Sequence, residues 1–219
     1  MGGPFPAGSV HHRDVFLIRC PTVGEDTKSP RTVLGSAAAA GAAEGNRRVL
    51  AKGKYLTLVD DRGWEYVTRA GVTGIVVIVA VTDDEKLLLV EQYRPAVRKR
   101  VIELPAGLVG DGDAHAGETL HSAAVRELAE ETGFAAREME LLAEGPIAVG
   151  ISDETISFFQ ARGLTRVGPG GGDATEEITV HQVRLSRLRP FLATCAAGGL
   201  AVDPKIYAGL YLIDGAART

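Results

Sequence analysis

From residue 49 onward most apolar positions either alternate with polar ones or run unbroken, which is the period of strands. Arg48 to Val59 alternates with a break at Gly53, Asp60-Asp61-Arg62-Gly63 has turn chemistry, and Trp64 to Arg69 resumes an extended run. Together these predict a hairpin. Gly74 to Val81 is continuous and β-branched, the mark of a strand covered on both faces. Thr82 to Glu85 turns the chain, and strands are expected over Lys86 to Tyr93, Val101 to Leu104, Leu141 to Gly145, Thr155 to Ala161 and Glu177 to Val183. A helical period is first clear between Thr119 and Thr132, closed by Gly133. Ser186 is placed to cap a second helix running to Ala196, and Asp203-Pro204 to start a third running to Ile213. Strands outnumber helices without alternating regularly with them, so the class is α+β rather than a doubly wound sheet.

Two stretches carry no such period. Ser36 to Gly45 is low complexity, and Pro and Gly are scattered before it, so residues 1–48 read as a poorly packed extension with one short strand at Val15 to Arg19. Gly168-Pro169-Gly170-Gly171-Gly172 reads as a flexible, solvated loop. Residues 49–72 are then an N-terminal strand region, and residues 73–219 the main domain.

Composition narrows the function. The chain has 219 residues, 45% apolar and 24% charged, which suits a globular domain that needs no disulfide staples. Acids outnumber bases 28 to 24, for a net charge of −4, which argues against a nucleic acid as the main partner. Cys20 and Cys195 are the only cysteines, so neither a disulfide framework nor a zinc site is expected. No signal peptide is visible, and the longest apolar run, Ile75 to Val81, is too short for a bilayer. The expectation is a soluble, cytoplasmic protein with no membrane contact.

The candidate chemistry sits on the first helix. At 3.6 residues per turn, Glu130 lies about −60° and Glu131 about +40° from Glu127, so three carboxylates share one arc. Val125, Leu128 and Ala129 fall on the side that can pack on a sheet, and Arg126 can neutralise part of the charge of Glu130. Unpaired acids near a helix C-terminus repel one another and oppose the macrodipole, and a divalent cation removes both costs. Oxygen-only ligands point to a hard ion, Mg²⁺ or Mn²⁺.

The wider spacing is Gly112, five residues, Glu118, seven residues, then Arg126-Glu127-Leu128-Ala129-Glu130-Glu131-Thr132-Gly133-Phe134. It matches the Nudix box, GX5EX7REUXEEXGU with U bulky and apolar, and over residues 50–214 the chain resembles the Nudix hydrolase superfamily. The resemblance implies an α/β/α sandwich around a mixed sheet and hydrolysis of a nucleoside diphosphate linked to another group. It implies Glu127 and Glu131 as main metal ligands, Glu130 as a further one, Arg126 orienting them, and Glu118 supporting the loop or an outer metal.

Three further stretches are similar to the ADP-ribose pyrophosphatase branch. In Glu103-Leu104-Pro105-Ala106-Gly107 the resemblance assigns the Ala106 carbonyl to the metal shell. In Gly150-Ile151-Ser152-Asp153-Glu154 it assigns Glu154 as a catalytic loop glutamate, although Val149 stands where many relatives carry proline. Trp64 and Glu65 would hold adenine, and Arg69 and Arg94 the diphosphate. The strands of residues 49–72 would pair two subunits of a homodimer. The expected reaction is Mg²⁺-dependent hydrolysis of a small-molecule nucleoside diphosphate sugar, ADP-ribose, to AMP and ribose 5-phosphate. The alternatives are another nucleoside diphosphate sugar such as GDP-mannose, a broad housecleaning range, or a non-catalytic nucleotide-sensing module.

Overall fold

The structure is a computed structural model that describes residues 47–172 and 177–216. The strand expected at Val15 to Arg19, Cys20 and the low-complexity run therefore lie outside the described residues. Arg48 to Val59 is two strands rather than one. β1 (Arg47–Lys52) and β2 (Leu56–Asp61) are antiparallel, and the break falls where the Gly53 amide donates to Leu56 O at 2.8 Å. With β3 (Trp64–Arg69) they form a separate three-stranded sheet in the order β1-β2-β3. The turn between β2 and β3 is the expected Asp60 to Gly63, with the Gly63 amide donating to Asp60 Oδ1 at 2.7 Å.

Two four-stranded sheets make the main body. One runs β7-β4-β9-β8, from β4 (Gly74–Ala80), β7 (Ala106–Val109), β8 (Phe134–Pro146) and β9 (Thr155–Arg166). The other runs β10-β5-β6-β11, from β5 (Lys86–Arg94), β6 (Lys99–Glu103), β10 (Thr179–Arg184) and β11 (Ala201–Val202). Each is mixed, because β4 pairs with β9 in parallel and β6 with β11 in parallel. β7, at the Ala106-Gly107 turn of the sequence, was not marked by its period, since four residues beside a proline carry too little alternation to register.

The alternation of β4 explains the layers. Val77 and Val79 face a core shared with Leu188 and Leu192 of α2 (Leu185–Ala197) and Ile206 of α3 (Lys205–Ala216). Val76, Ile78 and Ala80 face a second core shared with Ala123, Ala124 and Leu128 of α1 (Leu120–Thr132). Helices thus cover both sides of the sheets, as an α/β/α sandwich requires. The packing face of α1 is shifted from the expected one, for Val125 is exposed and the two alanines approach the sheet instead. Gly209 lets α3 do the same, because a Cβ there would lie 2.8 Å from Val79 Cγ2. α2 begins one residue before Ser186, with Arg184 at the cap position and no side chain capping it. At α3 the expected device is present: Asp203 Oδ1 accepts from the Lys205 amide at 2.8 Å.

Candidate active site

α1 is fixed at both ends. Thr119 and Ser122 form a reciprocal capping box, with the Ser122 amide donating to Thr119 Oγ1 at 3.1 Å and the Thr119 amide to Ser122 Oγ at 2.9 Å. At the other end Gly133 takes a left-handed φ of 75° and donates to Ala129 O. The Gly168 to Gly172 segment closes over this end instead of standing in solvent. The Gly171 amide donates to Glu131 O at 2.8 Å and the Gly172 amide to Glu130 O at 3.0 Å. Carbonyls that end an α-helix without partners are thereby satisfied by a loop some forty residues on.

Arg126 organises the acids around it. Its Nε and Nη2 donate to Glu118 Oε1 and Oε2 at 2.9 and 3.0 Å, a forked pair. Its Nη1 donates to Glu127 Oε1 at 2.8 Å and to Glu130 Oε2 at 2.9 Å. The hydrogen bonds from Arg126 hold the Glu118 carboxyl below the ordinary glutamate range, against a smaller upward push from burial. Those to Glu118 lead the interactions that keep Arg126 more firmly protonated than usual. Glu131 points inward, 2% exposed, and its Oε2 accepts from the Ala106 amide at 3.0 Å. So the expected set of Glu118, Arg126, Glu127, Glu130, Glu131 and Ala106 comes together, with Gly133 closing its helix and Gly112, at φ 74°, opening the loop that leads to it.

Ala106, Arg126, Glu127, Glu130 and Glu131 line a cleft of about 780 Å³. Arg94 and Glu103 enter from β5 and β6, and Arg94 Nε donates to Glu103 Oε2 at 2.7 Å. Burial pushes the Glu103 carboxyl up despite that contact. Four polar cleft residues have no role assigned from the sequence: Gln92, Asp111, His115 and Lys205. Gln92 alternates with Glu91 along β5 and could have been placed by its period, whereas Lys205 arrives only through the β6–β11 pairing. A second, apolar groove of about 860 Å³ lies between α2 and α3, and among the described residues lining it Arg189 and Asp214 alone are charged.

The donor set of the cleft fits a hard cation. Glu127, Glu130 and Glu131 offer carboxylate oxygens alone, and Gly107 leaves room for one of them: a Cβ there would sit 1.9 Å from Glu127 Oε1. Among the described residues no three His, Cys, Asp or Glu side chains converge as a ready ligand group. Arg126 donates to Glu127 and Glu130, and Glu131 accepts from the Ala106 amide.

Other expected residues lie elsewhere. Glu154 lines a neighbouring pocket of about 150 Å³ that shares Ile75 with the cleft. Arg69 Nε donates to its Oε1 at 3.0 Å and Ser152 Oγ to its Oε2 at 3.2 Å, so Arg69 and Glu154 form a pair of their own. Trp64 and Glu65 are exposed at the start of β3, Trp64 by 61%, and neither lines the cleft.

Residues 72–193 match the model of the NUDIX domain. The chain belongs to the NUDIX family, and within it to the branch resembling ADP-ribose pyrophosphatases. An ADP-ribose pyrophosphatase of Mycobacterium tuberculosis is 42% identical over 95 residues, 43% of this chain and 44% of that one. An ADP-sugar pyrophosphatase of Mus musculus is 30% identical over 188 residues, 74% of this chain and 83% of that one. A methanol dehydrogenase activator of Bacillus methanolicus is 32% identical over 120 residues, 54% of this chain and 62% of that one. The chain thus spans between about 44% and 62% of the first curated relatives it matches. A solved structure titled as an ADP compounds hydrolase shares the fold, with a TM-score of 0.60 at 22% identity, over 79% of this chain and 92% of that one. No helix among the described residues is long and apolar enough to cross a membrane.

Proposed function

We propose that the chain hydrolyses the diphosphate of a nucleoside diphosphate sugar with the help of a divalent cation, and that ADP-ribose is its substrate, giving AMP and ribose 5-phosphate. One observation carries this reading: a single cleft holds the box carboxylates together with the cations Arg94 and Lys205. Acids suit a metal ion, and guanidinium and ammonium groups suit phosphate oxygens. The names of the relatives support the choice of ADP-ribose.

Glu127, Glu130 and Glu131, with the Ala106 carbonyl, would hold the cation, Mg²⁺ or Mn²⁺. Such an ion lowers the pKa of a bound water and offsets charge on phosphoryl oxygens. The chain's own residues do the rest. Arg126 keeps Glu127 and Glu130 oriented while Glu118 anchors it from behind. Arg94, braced by Glu103, binds the diphosphate. Glu154 is the proposed base for the attacking water, with Arg69 holding its carboxylate. Water adds across the P–O–P bridge, so one phosphate leaves as AMP and the other stays on ribose.

Residues 49–72 are proposed to pair two subunits. Val49, Leu50, Leu56 and Trp64 on the first sheet, and Tyr55 in the bend between β1 and β2, leave apolar surface exposed. Val67 ties that sheet to the Glu154 loop, through its amide to Ile151 O at 2.9 Å. A homodimer would let Trp64 and Glu65 of one subunit complete the base pocket of the other, and sedimentation of the full chain at micromolar concentration tests it. The activity is tested by incubating ADP-ribose, GDP-mannose and nucleoside triphosphates with Mg²⁺ or with chelator and separating the products. ADP-ribose should be cleaved fastest, and only with metal. A panel in which a triphosphate is turned over best overturns the assignment.

A further inference from the structure

The cleft contains a cation, Lys205, that neither the box nor the stretches beside it explain. Lys205 is the first residue of α3, more than seventy positions after Glu131, yet it lines the same cleft. Its placement follows from three constraints. β11 pairs in parallel with β6, Val202 against Ile102, so the chain after β11 runs beside Glu103. The Asp203 amide then donates to Ile102 O at 2.9 Å. Finally Asp203, 9% exposed, holds Lys205 twice, by its Oδ1 on the lysine amide and by its Oδ2 on Nζ.

Arg94 and Lys205 are therefore built alike. Each cation is braced by one buried carboxylate, Glu103 for Arg94 and Asp203 for Lys205. The carboxylates are nearly closed to solvent, with side chains 10% exposed in each case, while the cations remain more open, at 44% and 24%. Glu103 also feels Asp203 and Lys205, so the four groups form one electrostatic cluster. A purely structural pair would spend its charges on each other. Here Lys205 has three donors and Asp203 takes one, and Arg94 spends only Nε on Glu103. What remains is two cations, each with donors beyond those its carboxylate takes, in one cleft with Glu127, Glu130 and Glu131. That pattern suits a diphosphate, whose anionic oxygens take charge-assisted hydrogen bonds from guanidinium and ammonium groups.

We propose that Lys205 binds the diphosphate of the substrate beside Arg94, with Asp203 as the residue that positions it. The proposal rests on the reading of the cleft as a diphosphate hydrolase site. It adds α3, which lies outside the box and outside the part of the chain that the family model matches, to the binding machinery.

The test uses the full chain and inorganic pyrophosphate, whose recognition depends on neither base nor sugar. Loss of a charge-assisted contact should weaken pyrophosphate binding about ten- to a hundredfold in Lys205→Met, measured by calorimetry. Lys205→Arg should restore it to within about threefold. With ADP-ribose, KM should rise by the same factor while kcat changes little. Equal pyrophosphate affinity in Lys205→Met and wild type overturns the proposal. So does a loss that Lys205→Arg fails to restore, for then the positive charge at this position is not what holds pyrophosphate. If Lys205→Met does not fold, Lys205→Gln, which keeps a donor for Asp203, is read on the same titration. A wild-type chain that binds pyrophosphate but leaves ADP-ribose intact would refute the substrate assignment without touching Lys205.

Discussion

Gly170 offers the sharpest test of how the box helix is held. It has a left-handed φ of 69°, and a Cβ there would lie 2.5 Å from Thr132 C and 2.7 Å from Thr132 O. These are backbone atoms of the α1 terminus and cannot swing aside. Gly170→Ala should therefore lift the loop from the helix and break the bonds from Gly171 to Glu131 O and from Gly172 to Glu130 O. Two backbone hydrogen bonds at about 0.5–1.5 kcal/mol each, plus about 1–2 kcal/mol for a left-handed alanine, give a loss of about 2–5 kcal/mol. For a domain of this size, with about 2–4 °C lost per kcal/mol, the melting temperature should fall on the order of 10 °C. Gly168→Ala is the control, because it has no heavy atom within 4 Å of its would-be Cβ and no positive φ. Calorimetric melts of the two variants decide the matter. Glu130 and Glu131 sit on the last turn of α1, so kcat/KM for the diphosphate should drop in Gly170→Ala and hold in Gly168→Ala. Matching melts for both variants would refute the idea that this loop caps the helix.

Glu127→Gln and Glu131→Gln should each cut metal-dependent turnover by several orders of magnitude while circular dichroism shows the fold retained; near-normal rates in both would remove these residues from the metal site. Glu154→Gln should lower kcat by about 10²–10⁴-fold with KM little changed, the range for a general base, and an effect on KM alone would make Glu154 a binding residue. Arg126 depresses the Glu118 pKa, so their pairing stabilises the fold above the ordinary glutamate pKa of about 4.5 and is lost as pH falls through the lower folded value. Melting curves between pH 6 and 3 should accordingly be flatter for Glu118→Gln than for the wild type, and parallel profiles would count against that pairing.

Much of this protein is decided within a turn or two of chain, and that part was legible in the sequence. The capped helix from Thr119 to Gly133, its shared arc of acids and the doubly covered strand at Gly74 to Ala80 all follow from local period and cap chemistry. Gly112, Glu118 and the Arg126 to Gly133 run name the family by spacing alone. What the sequence could not decide depends on pairings between distant segments. Gly168 to Gly172 has the composition of a solvated linker, and only its meeting with the end of α1 turns those amides into caps. Arg48 to Val59 alternates across a break, and only the register of Val49 against Val59 shows that it folds back on itself. The position of Glu154, in a pocket beside the cleft and paired with Arg69 eighty-five residues away, is likewise fixed by the tertiary structure. Lys205 carries no motif, and it reaches the cleft because two short parallel strands fix the start of its helix. Local period reports which face of an element is buried; only long-range packing decides which faces meet.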